Sequence, residues 1–339
     1  MRTTSAIFLM LLVFLTALPS AAQIPDSAEP DTVALAALTP EELFLRASSA
    51  ALQFQHMIEP SRKILVRDHE RTLPYLVTQL DTDGVRERHA LEDILVRIGA
   101  PAAAPVIEGL LVEAERSDTT RGARMAATVL GRIGEPSAVE PLASVHDHHD
   151  WKVRGAIGSA LGRIGVAETV VPLVSMLDDE NEVVRKSAAV GLKRVAIRAT
   201  DAEAPDPEAV DALDRDVIES LVGALGDVSY AVRYSSSDAL ARIGEPALPR
   251  LLEAGESSTG EARLMAMRAM GMVGSQEALK PLVGALDDPD WAVRAFAASA
   301  IGVIGPDDVA KRALERLVSR DEHPFVVSSA AAALAEVDG

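Results

Sequence analysis

Residues 150–165 read DWKVRGAIGSALGRIG, and this stretch decides the fold. It opens with Asp150, a residue type whose side chain accepts hydrogen bonds from the free amides of a first helical turn. It closes on Gly165, where a helix end favours a left-handed backbone. Between these ends the apolar residues recur at helical spacing, as Val153, Ile157, Leu161 and Ile164. The stretch therefore predicts one amphipathic helix with both ends marked.

The same stretch recurs along the chain. Clear copies close at residues 165, 196, 244, 274 and 305, and weaker copies close at 99, 134 and 338. Most closing positions lie about 31 residues apart, but 48 residues separate 196 from 244. The sequence therefore predicts eight units of about 31 residues, with an insertion between the fourth and the fifth.

A second, shorter apolar helix is predicted after each closing position. Pro141, Pro172 and Pro281 lie in its first turn, where a missing N–H costs little. No stretch has the alternation of a strand. A single helix pair cannot bury its apolar face, whereas stacked pairs can, so the sequence predicts an all-α solenoid. We expect the second helices to line its concave face.

The pattern D-x-x-V-R, A-L-G-x-I-G and x-P-L-x-x-x-L resembles the short HEAT repeats of the phycobilin (PBS) lyase type, over residues 73–339. The resemblance implies a right-handed superhelix that serves mostly as a protein-binding surface. A minority of such proteins are chromophore lyase subunits, so a lyase-like enzyme subunit is the alternative function. The resemblance also implies a structural ladder between neighbouring turns, formed by Asp150, Arg154, Asn181, Arg185, Arg233, Arg263, Asp290 and Arg294.

The N-terminal residues 1–22 have the pattern of a secretory signal peptide. Arg2 precedes an uncharged apolar run at residues 6–18, and Ser-Ala-Ala at residues 20–22 suits a signal peptidase. We therefore expect export to the periplasm or the extracellular space, with no integral membrane segment after cleavage. A retained N-terminal anchor is the alternative.

Five further segments follow the signal peptide. Residues 23–38 are predicted as a flexible lead-in, and residues 39–72 as capping helices, the first opened by a capping box from Thr39 to Glu42. Repeats 1–4 occupy residues 73–197 and repeats 5–8 occupy residues 217–339. Between them, residues 198–216 form an acidic insertion, which is either a disordered loop or a loop that attracts a partner or Ca²⁺.

Composition narrows the function. The chain of 339 residues has 51 acidic against 33 basic residues and a net charge of −18, which opposes binding to nucleic acid. It contains no cysteine, so thiolate chemistry and thiolate metal sites are excluded. No motif of a nucleophile, a phosphate loop or a zinc protease is present. We therefore predict a scaffold that binds a protein or peptide, with no catalytic, cofactor or metal residue.

Two groups of residues remain as candidate sites. The turn His146-Asp-His-His-Asp150 has zinc-ligand residue types, but its alignment with other repeats favours an ordinary solvated turn. The position nine after the repeat arginine is also basic in five units. These residues are either a partner-binding ridge or cations that favour free helix carbonyls; they are Arg97, Arg132, Arg163, Arg194 and Arg242.

Overall fold

A computed structural model describes residues 32–201, 206–257 and 260–335. Within these ranges the chain forms twenty α-helices and no strand, which confirms the predicted all-α solenoid. The predicted signal peptide and the last closing position, residue 338, lie outside the described residues. None of the described helices combines the length and the apolar character needed to cross a membrane.

The helices stack in two layers behind a short N-terminal pair, α1 (Thr32–Ala36) and α2 (Pro40–Ser48). The layer that carries the repeated stretch is called the inner layer. It consists of α3 (Ile58–Arg67), α5 (Val85–Ile98), α7 (Arg121–Ile133), α9 (Trp151–Ile164), α11 (Glu182–Ala199), α14 (Tyr230–Ile243), α16 (Gly260–Val273), α18 (Trp291–Ile304) and α20 (Pro324–Ala335).

The second helices of the units form the outer layer. It consists of α4 (His69–Thr78), α6 (Ala100–Ala114), α8 (Val139–Ser144), α10 (Val170–Ser175), α13 (Arg215–Gly223), α15 (Leu248–Ser257), α17 (Leu279–Ala285) and α19 (Asp308–Arg320). One continuous apolar core, from Leu35 to Ala333, lies between the layers. Each fully buried leucine in it contributes about 1.5–3 kcal/mol relative to exposure.

The inner layer lies on the concave side of the stack. A β-carbon added at Gly162 would lie 2.3 Å from the Cα atom of Gly191, and one at Gly131 would lie 2.5 Å from the Cα atom of Ala160. Neighbouring outer helices touch each other only sparsely. Because the inner helices approach more closely, the array curves towards them. The expectation that the second helices line the concave face is therefore wrong.

Helix ends follow the sequence signals closely. Asp150, Asn181 and Asp290 each cap the helix that follows, because their side chains accept from the amide two residues on. The predicted closing glycines have the positive φ angles that favour glycine, namely Gly99, Gly134, Gly165, Gly244, Gly274 and Gly305. At the remaining described closing position the residue is alanine, and α11 continues three residues further to Ala199.

An arginine ladder joins successive units at one edge of the inner layer. Each rung is an arginine of the repeated stretch bound to a carboxylate of the next unit; the rungs are Arg154–Asp179, Arg185–Asp227, Arg233–Glu261, Arg263–Asp288 and Arg294–Asp321. The predicted ladder therefore had the right arginines but the wrong partners, since Asp150, Asn181 and Asp290 form none of these rungs. The N-cap residues Asp150, Asn181 and Asp290 have their side chains directed at backbone amides, so other acids form the rungs.

Two rungs, Arg154–Asp179 and Arg185–Asp227, are largely buried. Arg154 Nε lies 2.6 Å from an Asp179 oxygen, and both side chains are at most 10% exposed. Arg154 also donates to the carbonyl oxygens of His148 and His149. Burial would raise the pKa of Asp179, but hydrogen bonds from Arg154 and from the Asn181 amide outweigh it and hold the pKa below its usual range. The rung therefore stays ionised and links two units through both backbone and side chain.

Structure extends into segments that were predicted to lack it. At the end of the lead-in, α1 buries Leu35 against the core, because an apolar side chain is available where the chain passes α3. The capping box at Thr39 is present and opens α2, which ends at Ser48. In the insertion, Asp206 caps α12 (Pro207–Ala212), and Ala209 and Leu213 are buried. This described part of the insertion is therefore a packed helix and not a loop.

Candidate functional site

A basic groove crosses the inner layer over α7, α9 and α11. It encloses about 570 Å³, and its charged lining residues are Arg124, Lys152 and Arg163. None of these three cations forms an ion pair within the described ranges, and no acidic side chain lines the groove. On a chain with a net charge of −18, this is a local concentration of positive charge.

The walls and floor of the basic groove are suited to an extended ligand. Trp151 is 38% exposed at one wall, with Lys152 Nζ 5.8 Å from its ring centroid. The floor carries Gly155, Ala156 and Ala160, where the lack of bulky side chains lets a ligand backbone come close. Hydroxyl groups, together with the side chain of Val183, line the remainder of the groove. The arrangement offers charge, one aromatic face and hydrogen-bonding groups at the same place.

An apolar groove of about 370 Å³ crosses α16, α18 and α20 on the same layer. Its large side chains remain substantially exposed, with Trp291 at 44%, Met272 at 44% and Phe325 at 68%. The Trp291 ring stacks on His323 at a centroid distance of 4.0 Å, which fixes its orientation. Exposed apolar residues gathered in a concave surface are typical of interaction sites.

A charged cluster on α11, α14 and α16 lies between the two grooves. Asp238 binds Lys193 and Arg268, each at 2.6 Å, and the Arg268 guanidinium lies 3.8 Å from the centroid of the Tyr234 ring. Burial would raise the pKa of Asp238, but the hydrogen bonds from Lys193 and Arg268 outweigh it and lower the pKa. A carboxylate held ionised by two cations serves to position Arg268, which lines the apolar groove.

The five arginines of the predicted ridge differ in their surroundings. Arg97 binds Glu59 and Asp93, and Arg132 binds Glu92, so these two side chains are occupied within the protein. The other three side chains are exposed and form no ion pair among the described residues; they are Arg163, Arg194 and Arg242. Of the five, Arg163 lines the basic groove. A role of the ridge in binding stays a prediction.

The side chains of the His-rich turn diverge. His146 Nδ1 lies 2.7 Å from the carbonyl oxygen of Ala143, whereas the Asp150 side chain accepts from the Lys152 amide and the Thr120 hydroxyl. His148 is buried, and its Nδ1 accepts from the Asp150 amide at 3.0 Å. Among the described residues, no group of three acidic or imidazole side chains is placed to hold a metal ion.

His148 interrupts the arginine ladder. It occupies the place, two residues before the N-cap, that Asp179, Asp227 and Asp288 occupy in other units, and Ala123 replaces the arginine opposite. Burial, together with the neighbouring His149, lowers the pKa of His148 below its ordinary value of 6.5. His148 is therefore a neutral imidazole, buried beside the start of α9.

We expect the stability of the protein to fall on mild acidification. Because the folded pKa of His148 is lowered, the unfolded chain binds a proton here at higher pH than the folded protein does, so stability is lost as the pH drops below 6.5. Urea unfolding between pH 7.5 and 5 measures this slope, with His69→Gln as the matched control. His148→Gln should flatten it, and an unchanged slope in that variant would show that another group is responsible.

The sequence pattern missed most of the basic groove. Arg124 and Lys152 fall outside the repeated arginine positions, and only Arg163 was singled out. The signal that was present is Trp151, which is one of only two tryptophans in the chain, the other being Trp291. Both follow an N-cap aspartate directly, and each lies in one of the two grooves.

The sequence comparisons define the class of protein. The profile of HEAT repeats matches residues 107–193 and 248–335, which together make just over half of the chain. The chain therefore belongs to the HEAT-repeat family. No functionally curated protein matches the sequence significantly.

Solved structures agree with this fold. Importin-β, crystallised from polyethylene glycol, is similar with a TM-score of 0.58 and 13% identity over 99% of this chain and 50% of that chain. Yeast importin-β (Kap95p) is similar with a TM-score of 0.56 and 13% identity over 88% and 45%. This chain thus spans about half the length of either. Human deoxyhypusine hydroxylase has a TM-score of 0.35, with 22% identity over 82% and 99%, and at that value the likeness carries no argument.

Proposed function

We propose that this chain is an exported HEAT-repeat scaffold that binds a protein or peptide partner along its inner layer. The observation that carries the proposal is the lining of that layer. Both open grooves present exposed aromatic or apolar side chains, and the three cations of the basic groove form no ion pair among the described residues. Stacked repeats offer such an extended concave surface for binding as a property of their architecture.

Rigidity of the inner layer supports the same function. The arginine ladder and the glycine contacts fix the spacing of successive inner helices. A preformed surface loses little conformational entropy on association, so more of the contact energy appears as affinity. The two grooves are therefore held at a fixed separation, which suits a partner that occupies both.

The charged groups of the inner layer favour binding over catalysis. Asp238 has a lowered pKa and two cationic partners, whereas a general acid or base at neutral pH needs a pKa tuned towards 7. We propose that the chain has no catalytic activity of its own. Export rests on the signal-peptide pattern alone, and the intact mass of the mature protein tests it, since cleavage would leave Gln23 as the first residue.

Site-specific photo-crosslinking in the source cells tests the binding surface. A photoreactive residue is introduced at Ser159 or Ser299, which line the basic and the apolar groove. Matched outer-layer positions are Val171 on α10 and Val309 on α19, both exposed. We expect one discrete adduct from the inner positions and none from the outer positions.

The pattern of adducts decides between the alternatives. An adduct that forms equally from inner and outer positions, or only from the outer ones, would refute binding along the inner layer. Mass spectrometry of the inner-layer adduct identifies the partner, and the variant Phe296→Ala in the apolar groove should reduce its yield.

A further inference from the structure

We propose that the basic groove is a subsite for a carboxylate-rich peptide segment of the partner. This inference rests on the proposed function and specifies which chemistry one half of the inner layer recognises. It concerns Arg124, Lys152 and Arg163 together with Trp151, which lie on two successive units, on α7 and α9.

The charge of the groove stands out against its surroundings. Acids outnumber bases along the chain, and the arginines of the ladder each have a carboxylate partner. The three groove cations form no ion pair among the described residues, although the charges of Arg124 and Lys152 help to lower the pKa of the nearby Asp150 carboxyl. Carboxylates delivered by another molecule would complete three charge-assisted contacts that the protein itself leaves open.

The dimensions of the groove suit a short extended segment. The lining spans three inner helices, and packed helices lie about 8–10 Å apart, so the groove is about 20 Å long. An extended chain advances about 3.3 Å per residue, which gives a segment of about six residues. Gly155 and Ala160 on the floor leave room for its backbone, and the Ser159 hydroxyl faces the same space.

A peptide fits this surface better than a nucleic acid does. A long polyanion would meet the repulsion of a chain with a net charge of −18 on either side of the groove. Recognition of single strands also uses several aromatic side chains that stack on successive bases, and this groove offers Trp151 alone. A short acidic segment keeps its charge within the positive patch.

Tryptophan fluorescence reports on the groove directly. In the variant Trp291→Phe of the full-length protein, Trp151 is the single emitter. A blocked peptide of about six glutamates, the length that the groove admits, is titrated against it. The same peptide made of glutamine is the neutral control. We expect a saturable change in emission with the glutamate peptide, and binding at least about tenfold weaker with the glutamine peptide.

Charge variants and salt sharpen the test. Raising the ionic strength from about 0.01 M to about 0.1 M shortens electrostatic screening from about 30 Å to about 10 Å and should weaken binding. Lys152→Glu with Arg163→Glu should weaken it at least about tenfold. Arg86→Glu with Lys63→Glu makes the same change in net charge outside the groove, and should leave the affinity within about twofold.

Other ligands provide the outcomes that overturn the inference. Equal affinity for inorganic phosphate would make the groove a general anion site, and tighter binding of an oligonucleotide would make it a nucleic-acid site. Failure to bind the glutamate peptide while inner-layer crosslinks persist refutes this inference and leaves the proposed function standing. Loss of both the peptide binding and the inner-layer crosslinks refutes this inference and the proposed function together.

Discussion

Replacement of Gly162 by valine is expected to lower the free energy of unfolding by about 3 kcal/mol or to prevent folding. Gly162 on α9 faces Gly191 on α11, and a β-carbon added to it would lie 2.3 Å from the Cα atom of Gly191. Because the obstacle is backbone, no side-chain rotation can relieve the overlap. The two helices must separate, which also distorts the basic groove between them.

A substitution on the same helix provides the control. A β-carbon at Gly155 meets only Val183 Cγ1, at 3.9 Å, which is an ordinary contact. Gly155→Ala should therefore stabilise α9 by about 0.5–1 kcal/mol through its better helix propensity. Urea unfolding followed by circular dichroism measures both variants. If they changed stability alike, the close approach of the inner helices would not be what Gly162 provides.

The second large effect is expected from Asp179→Ala, which should lower the free energy of unfolding by about 3–5 kcal/mol. The substitution leaves the Arg154 guanidinium in a site where its side chain is only 9% exposed, with the exposed Glu180 as the remaining acidic partner. It also removes the acceptor for the Asn181 amide at the start of α11. Two units are therefore loosened at once.

Two comparisons isolate the contribution of the buried rung. Glu92→Ala removes the partner of Arg132, a pair whose side chains are 24% and 39% exposed, and should cost no more than about 1 kcal/mol. The double variant Arg154→Leu with Asp179→Leu should be more stable than Asp179→Ala, since no charge stays buried without its partner. A double variant less stable than the single one would contradict this account of the ladder.

The fold was accessible from the sequence because each helix end has a local cause. An N-cap side chain, such as Asn181, and a glycine with positive φ, such as Gly134, act within a single turn, so their pattern is visible without tertiary structure. The repeat period then extends one helix pair to the whole stack. The layer that faces inward was predicted wrongly, because the spacing of neighbouring helices depends on tertiary contacts such as that of Gly131 with Ala160, 29 residues away.

Much less of the candidate site could be predicted from the sequence. The repeat register placed Arg163 among the surface cations, but nothing in it brings Arg124 and Lys152 to the same groove. Their convergence depends on how α7 and α9 cross, which no local pattern encodes. The ladder acids were missed for a similar reason: Asp227 pairs with Arg185 across the insertion, 42 residues away.

The most direct test of binding along the inner layer is the shielding of single tryptophans from acrylamide in the complex with the partner identified by crosslinking. Trp151 and Trp291 report on the inner layer when each is the only tryptophan, and Val171→Trp in a background with both removed reports on the outer layer. We predict that the partner lowers quenching of at least one inner tryptophan and leaves that at position 171 unchanged. Shielding at position 171 with both inner tryptophans unaffected would contradict the account.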